Sequence, residues 1–443
     1  MNNAAQSPRA ALTHRRVLHV AVPIVISNAT VPILGAVDTG VVGQMGLVAP
    51  IGAVGIGAII LTAIYWIFGF LRMGTAGLTA QALGARDHGE VCALLVRGLM
   101  IGLAAGAAMV VLQVPIFWAV FQLAPASSEV ESLAYDYLQI RIWSGPAVIA
   151  IYGLTGWLVA HERTKAVLVL QLWMNGVNIV LDLWFVLGLG WGVEGVAIAT
   201  VIAEVSGLCA GLWLVRDGFK GDYWKNWVVV FDRVILKRMA MVNSDIMIRS
   251  VLLEICFVSF LFLGSAFDDT TLAANQVLIQ FLFITAHGMD GFAFAAEALI
   301  GQALGAKDRG RLRRSVLLTS FWGAVVIVIL TTFFAFAGGW LIDVMTKAPD
   351  VRVLAREYLF WMVLAPFLGG PSWMLDGIFI GATRTKDMRN MMLVSFVIYW
   401  VSVWMLLESY GNHGLWAALI IFFVARGVTL VVRYPALERA ADR

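Results

Sequence analysis

The chain is a succession of long apolar runs broken by short polar segments. Twelve runs stand out, at 17–44, 50–80, 91–122, 130–160, 164–188, 192–217, 233–264, 270–301, 311–341, 351–381, 386–409 and 411–434. Each exceeds the ~20 residues an α-helix needs to cross the hydrocarbon core of a bilayer. Length and apolarity together predict membrane helices, and the longer runs imply tilt or extension into water. The most polar interior stretch, Arg216 to Arg233, holds Lys220, Asp222, Tyr223, Trp224 and Lys225 and separates the sixth run from the seventh. The expected organisation is a polar tail at 1–16, a first lobe at 17–217, a linker at 218–232, a second lobe at 233–434 and a tail at 435–443.

The second half repeats the first. Gln81-Ala82-Leu83-Gly84-Ala85 returns as Gln302-Ala303-Leu304-Gly305-Ala306, a separation of 221 residues. Arg163-Thr164-Lys165 returns as Arg384-Thr385-Lys386 and Tyr137-Leu138 as Tyr358-Leu359, at the same separation. A fixed offset of half the chain implies two homologous halves. The expected fold is therefore an all-α integral membrane protein, with twelve transmembrane helices in two six-helix bundles related by pseudo-two-fold symmetry. With an even number of spans per half, the repeats are parallel and the axis runs along the membrane normal. Duplications of this kind are typical of transporters, with the substrate site between the two lobes.

Composition agrees. Hydrophobic residues make up 60% of the chain and charged ones 13%, roughly half the charged fraction of a soluble domain. The net charge of +3 matters less than its placement. Arg15 and Arg16, Arg86, Arg163 and Lys165, the 216–238 cluster, the 307–314 cluster and Arg384, Lys386 and Arg389 occupy alternate connections. The connections near 45–50, 122–130, 188–192, 265–270 and 408–414 contain no Lys or Arg. By the positive-inside rule both termini are cytoplasmic, with Lys347, Arg352 and Arg356 as the exception on the outer side. A bacterial inner-membrane location and no cleavable signal are expected. Cys92, Cys209 and Cys256 form no CxxC pair and are expected as small core residues.

No enzyme is expected. The chain has no GxxxxGK[ST], HExxH or GxSxG motif and no His/Cys cluster at metal spacing. Transport energy must then come from an ion gradient or from the substrate's own gradient, and no cofactor is needed beyond a coupling H+ or Na+. Ionisable residues inside spans are costly and point to function. The first half holds Asp38 and Asp182, with Asn178 one helical turn before Asp182, and Thr200 in the next span. Counted from the outer ends of their spans, Asp38, Asp182 and Thr200 fall roughly 9–12 Å below the surface. Two carboxylates, an amide oxygen and a hydroxyl at one depth suit protons or a hard monovalent cation such as Na+. At the 221-residue offset, Asp38, Asn178 and Asp182 become Ser259, Tyr399 and Val403. Residues needed by the fold should recur, so their loss from the second half favours function. The competing expectation is structural pairing, Asp38 with Arg72 among others.

The second half has acids of its own, Asp245, Glu254, Asp290, Glu297 and Asp376. Asp245 and Arg249, one turn apart, are expected to neutralise each other in a structural polar network, with Asp290 and Asp376 as alternative partners for Arg249. Glu254, Asp290 and Asp376 are, with Asp38, candidates to line the substrate cavity. Glu297 is expected to be wetter, and Gly84 and Gly305 to cap the C-termini of their helices. Pro23 and Pro32 are expected to interrupt the first helix.

Four motifs resemble a known family. Val37-Asp38-Thr39-Gly40-Val41-Val42-Gly43, and Asn178-Ile179-Val180-Leu181-Asp182 followed by Gly192-Val193-Glu194-Gly195, resemble multidrug and toxic compound extrusion (MATE) transporters. Asp290-Gly291-Phe292-Ala293-Phe294-Ala295-Ala296-Glu297 and Asp376-Gly377-Ile378-Phe379-Ile380-Gly381 resemble its DinF-like branch. The resemblance implies two bundles around a V-shaped cavity and export of organic, often cationic, compounds in exchange for H+ or Na+. It implies Asp38 as an essential carboxylate and Asn178, Asp182 and Thr200 as a cation site, with Glu254 a weaker match to a seventh-helix acid. The partners implied are small organic molecules and lipid, no nucleic acid, and a monomeric chain. The alternatives are a major facilitator-type transporter, which the segment 305–311 faintly resembles, a lipid-linked precursor flippase, and a non-transporting receptor or assembly protein.

Overall fold

The structure, a computed structural model, describes residues 12–44, 48–123, 128–220 and 223–442. Residues 1–11 of the polar tail, 45–47 and 124–127 of two connections, and Asp222 of the linker lie outside the described residues. The described residues are helical throughout, with no strand. The first half contains α1 (His14–Gly43), α2 (Val48–Ile67), α3 (Gly69–Ala85), α4 (His88–Val111), α5 (Gln113–Leu123), α6 (Ser128–Arg141), α7 (Gly145–Ala160), α8 (Thr164–Asp182) and α9 (Gly192–Leu214). A short α10 (Trp227–Val230) lies in the linker. Then come α11 (Arg233–Ser265), α12 (Asp269–Gly305), α13 (Arg309–Met345), α14 (Pro349–Gly381) and α15 (Thr385–Ala440).

Among the described residues, ten helical stretches are long and apolar enough to cross a membrane. α1 adds a crossing of 30 residues, about 45 Å long. Gly411, at φ 54° and ψ −132°, divides α15 into two, which completes the twelve. Breaks appear inside single expected runs, at Phe68 between α2 and α3, at Leu112 between α4 and α5, and at a 3₁₀ turn, Ile142–Ser144, before Pro146. α1 runs unbroken past Pro23 and Pro32, contrary to expectation. The linker is ordered by Arg97 on α4, whose Nε and Nη2 donate to the carbonyls of Val230 and Val229 at 2.8 and 2.5 Å. α15 continues helical to Ala440, through what was expected to be a tail.

The chain forms two compact units. One holds residues 12–25, 80–86 and 238–442, the other 26–79 and 87–237. α1 thus gives its first residues to one unit and its remainder to the other. The repeat is visible in the backbone. Arg86 and Lys307 are left-handed at φ 60° and 52°, as are Glu162 and Thr383 at 57° and 49°, each pair 221 residues apart. Asp87 and Asp308 N-cap the helices that follow them. A Cβ on Gly156 would lie 2.3 Å from the Arg72 carbonyl, and one on Gly377 2.5 Å from that of Ala293. The same backbone-on-backbone crossing thus recurs in each half. Gly84 and Gly305 do not cap. Their Cβ positions fall 2.1 Å from the Gln302 carbonyl and 1.9 Å from the Gln81 carbonyl, so the two copies of the Gln-Ala-Leu-Gly-Ala motif press on each other. The capping conformation falls two residues later, on Arg86 and Lys307.

Cys92 and Cys256 are buried, but Cys209 is exposed on α9. Glu297, expected to be wet, is 1% exposed. Gly381, whose Cβ would meet the Glu297 carbonyl at 2.5 Å, lets α14 close over it.

Candidate functional site

The site is built on α1, α8, α9 and α6 of one unit. On α8 the polar residues Gln171, Asn175, Asn178 and Asp182 recur at helical spacing and form a stripe. Gln171 donates to Asn175 Oδ1 at 2.9 Å, and Asn175 Nδ2 donates to Thr30 Oγ1 on α1 at 2.9 Å. Thr30 lies eight residues before Asp38 and Asn175 seven before Asp182. Helices running the same way rise about 12 and 10 Å over those intervals. The Thr30–Asn175 bond therefore sets a register in which the Asp38 and Asp182 carboxyls come side by side. Asp182 is fully buried and ends α8, and a π-helical turn, Leu183–Gly188, follows it. Such turns widen the helix locally and often mark functional positions.

Thr200 on α9 joins the same group. Asn178 Nδ2 donates to Thr200 Oγ1 at 3.1 Å, and the Thr200 hydroxyl donates to the Val196 carbonyl at 2.8 Å. Thr200 thereby orients the amide so that Asn178 Oδ1 is left over. The result is a surplus of acceptors. Asp38 Oδ1, Asn178 Oδ1 and both carboxylate oxygens of Asp182 are buried without a hydrogen-bond partner. These oxygens are the atoms that could hold a cation or protons.

The charged neighbours of the acid pair were not singled out from the sequence. Arg141 on α6 acts electrostatically on both Asp38 and Asp182. It is bound to Glu204 at 2.5 Å and to Ser144 Oγ at 3.2 Å. Glu204 lies one turn beyond Thr200 on α9. The rule that exposes Asp38, a charge inside an apolar span, applies equally to Arg141 and Glu204. A base that acts on Asp38 is thus Arg141.

The other unit has a separate polar centre. Asp245 and Arg249 do not pair, although one turn apart. Asp245 accepts from Arg389 at 2.6 Å and from Thr385 Oγ1 at 3.1 Å. Arg249 instead pairs with Asp376 on α14, which also accepts from Arg426 at 2.5 Å. Arg426 is 2% exposed and faces the rings of Phe422 and Phe423. Asp376 is therefore held between two guanidinium groups. Glu254 lies on an exposed face of α11 and Asp290 is half-buried on α12. At the repeat positions of Asp38 and Asn178, Ser259 Oγ and the Tyr399 hydroxyl hydrogen-bond at 3.2 Å. A neutral pair thus stands where the first half places the Asp38 and Asn178 oxygens.

The MatE family model matches this chain twice, over residues 23–184 and 246–405. The chain belongs to the MATE family. The two matches are the two halves of the internal repeat. The chain is 38% identical over 418 residues to the DNA damage-inducible protein F of Escherichia coli K12, covering 93% of this chain and 90% of that one. It is 24% identical over 471 residues to a probable multidrug resistance protein NorM of Xanthomonas campestris pv. campestris, covering 99% and 97%. Its fold superimposes on an outward-facing multidrug resistance MATE transporter with a TM-score of 0.88, at 18% identity and 99% coverage of both chains. These likenesses identify a multi-pass membrane protein of a transporter family and set aside the major facilitator alternative.

Proposed function

We propose that this chain is a secondary antiporter that exports organic, mainly cationic and amphipathic, compounds in exchange for H+ or Na+, by alternating access across the bacterial inner membrane. Both termini face the cytoplasm and a single chain supplies both lobes. The reading rests on the acceptor surplus at Asp38, Asn178 and Asp182. Two adjacent buried carboxylates cannot both remain charged without a compensating cation. Protons or Na+ supply that compensation, and their release and uptake couple the two directions of movement. Asp38 and Asp182 carry the exchangeable charge, Asn178 adds a neutral oxygen, and Thr200 holds Asn178 in place. A cationic substrate competes for the same negative charge.

A specific observation favours a second reading of the substrate class. Arg249 and Arg426 outnumber Asp376 in their buried centre, which suits amphipathic substrates that also carry an acidic group.

The coupling site is tested by ion-linked stability, because a ligand that binds only the native state raises its melting temperature. Wild type is expected to gain thermal protection from Na+ or from acidification. Asp182→Asn and Asn178→Ala are expected to lose most of it and to weaken substrate binding less. A wild type indifferent to both ions would make the site structural.

A further inference from the structure

The mechanism above does not use the Arg141–Glu204 pair, although it lies within electrostatic reach of the acid pair. Geometry links the two. Asp182 and Asn178 are one turn apart, Asn178 bonds Thr200 at 3.1 Å, Thr200 and Glu204 are one turn apart, and Glu204 holds Arg141 at 2.5 Å. Arg141 is 7% exposed, and its Nε has no acceptor. A buried donor without an acceptor therefore stands near four buried acceptors without donors. The groups facing Arg141 are Tyr137 on its own helix, Tyr65 on α2, Glu204 on α9 and, at longer range, Asp38 on α1 and Asp182 on α8. Tyr152 on α7 faces Glu204.

We propose that Glu204 keeps the Asp38–Asp182 pair available to the coupling ion by holding Arg141 as its own partner. This rests on the coupling site proposed above. A guanidinium within electrostatic reach of two carboxylates is a tethered cation. Released, it would neutralise them in place of Na+ or protons, and the ion would bind only by displacing it. Bound to Glu204, its charge is cancelled and the acids keep their deficit. Glu204 is then a positioning residue that acts on the ion through Arg141.

The test titrates purified wild type, Glu204→Gln and the double variant Arg141→Met/Glu204→Gln with NaCl at fixed pH, and with acid at fixed Na+. Protection against thermal unfolding is followed. Glu204→Gln is expected to need on the order of tenfold more Na+, or to show its proton-linked midpoint about one pH unit further to the acid side. The double variant, which removes the whole pair, is expected to return to within about threefold of wild type, since replacing both members of a buried pair is tolerated better than removing one. Arg141→Met alone leaves Glu204 as a third uncompensated acid and is expected to tighten ion binding, which keeps the idea testable if Glu204→Gln does not fold. Asp38→Asn is the control for the site itself. If wild type shows no ion response that Asp38→Asn removes, the coupling site is wrong and this inference falls with it. If the response depends on Asp38 but Glu204→Gln titrates like wild type, or the double variant stays as weak as the single, only the role of Glu204 is overturned.

Discussion

At the scale of single residues, what distinguishes this protein is an imbalance of donors and acceptors. Asp38 and Asp182 sit together with unpartnered oxygens, whereas Asp376 is satisfied by Arg249 and Arg426. The two kinds of carboxylate should respond oppositely to loss of charge. Asp38→Asn is expected to abolish ion-coupled efflux and leave thermal stability equal to or above that of wild type, because a buried repulsion is relieved. Asp376→Asn strands two buried guanidinium groups, and truncating one partner of such a cluster costs roughly 3–5 kcal/mol. A fall in melting temperature should therefore precede any transport defect. Melting curves and efflux rates of the two variants separate these roles, and equal destabilisation in both would contradict the distinction. The acids of the first half were legible because a charge in an apolar span is conspicuous and its absence from the repeat marks it. The pairing of Arg249 was legible only as one of three possibilities, because Asp245 one turn away, Asp290 and Asp376 each offer a carboxylate and only the fold brings Asp376 to it.

At the scale of helices, the repeat governs close approach. Gly305 lies against the Gln81 carbonyl and Gly84 against that of Gln302. An added methyl has no room against rigid backbone, and overpacking of this kind typically costs about 1–3 kcal/mol. Gly305→Ala and Gly84→Ala are expected to lower the melting temperature measurably, while Gly176→Ala, with open space around its Cβ, is expected to leave it unchanged. The motif was plain in the sequence, but its meaning was not, since a glycine near a helix end suggests a cap as readily as a contact. Helix breaks at Phe68, Leu112 and Ile142 were hidden for a related reason, because apolar residues continue across them and only local backbone geometry changes. The turn into α12 makes a prediction in pH. The Thr271 backbone N–H and hydroxyl donate to Asp268 and hold its carboxyl below its ordinary value of 3.8. A lowered carboxylate stabilises the fold above that value and loses its effect as pH falls through the lowered one. The difference in melting temperature between wild type and Asp268→Ala should therefore be full near neutrality and vanish on acidification below about pH 3.8. A constant difference would show that the cap acts without its charge.

At the scale of the whole molecule, twelve membrane crossings and their duplication could be read from the apolar runs and the repeated motifs, because both follow from chain length and side-chain type. The asymmetry of the halves completes the picture. The first carries the buried Asp38–Asp182 oxygens without partners, and the second replaces Asp38 and Asn178 with the neutral Ser259–Tyr399 pair. Two acids leave room for two coupling ions per monovalent organic cation, which would make exchange electrogenic. Moving one charge across 100 mV is worth about 2.3 kcal/mol, so an inside-negative potential, which favours inward movement of positive charge, should accelerate efflux, and equal rates across an imposed potassium–valinomycin potential would exclude that stoichiometry. The most direct measurement is efflux of a fluorescent organic cation from proteoliposomes under separately imposed pH and Na+ gradients, with wild type and Asp38→Asn side by side. Wild type should respond to at least one gradient and Asp38→Asn to neither. Gradient-driven efflux that persists in Asp38→Asn, or wild-type efflux indifferent to both gradients, would contradict coupling at the acid pair.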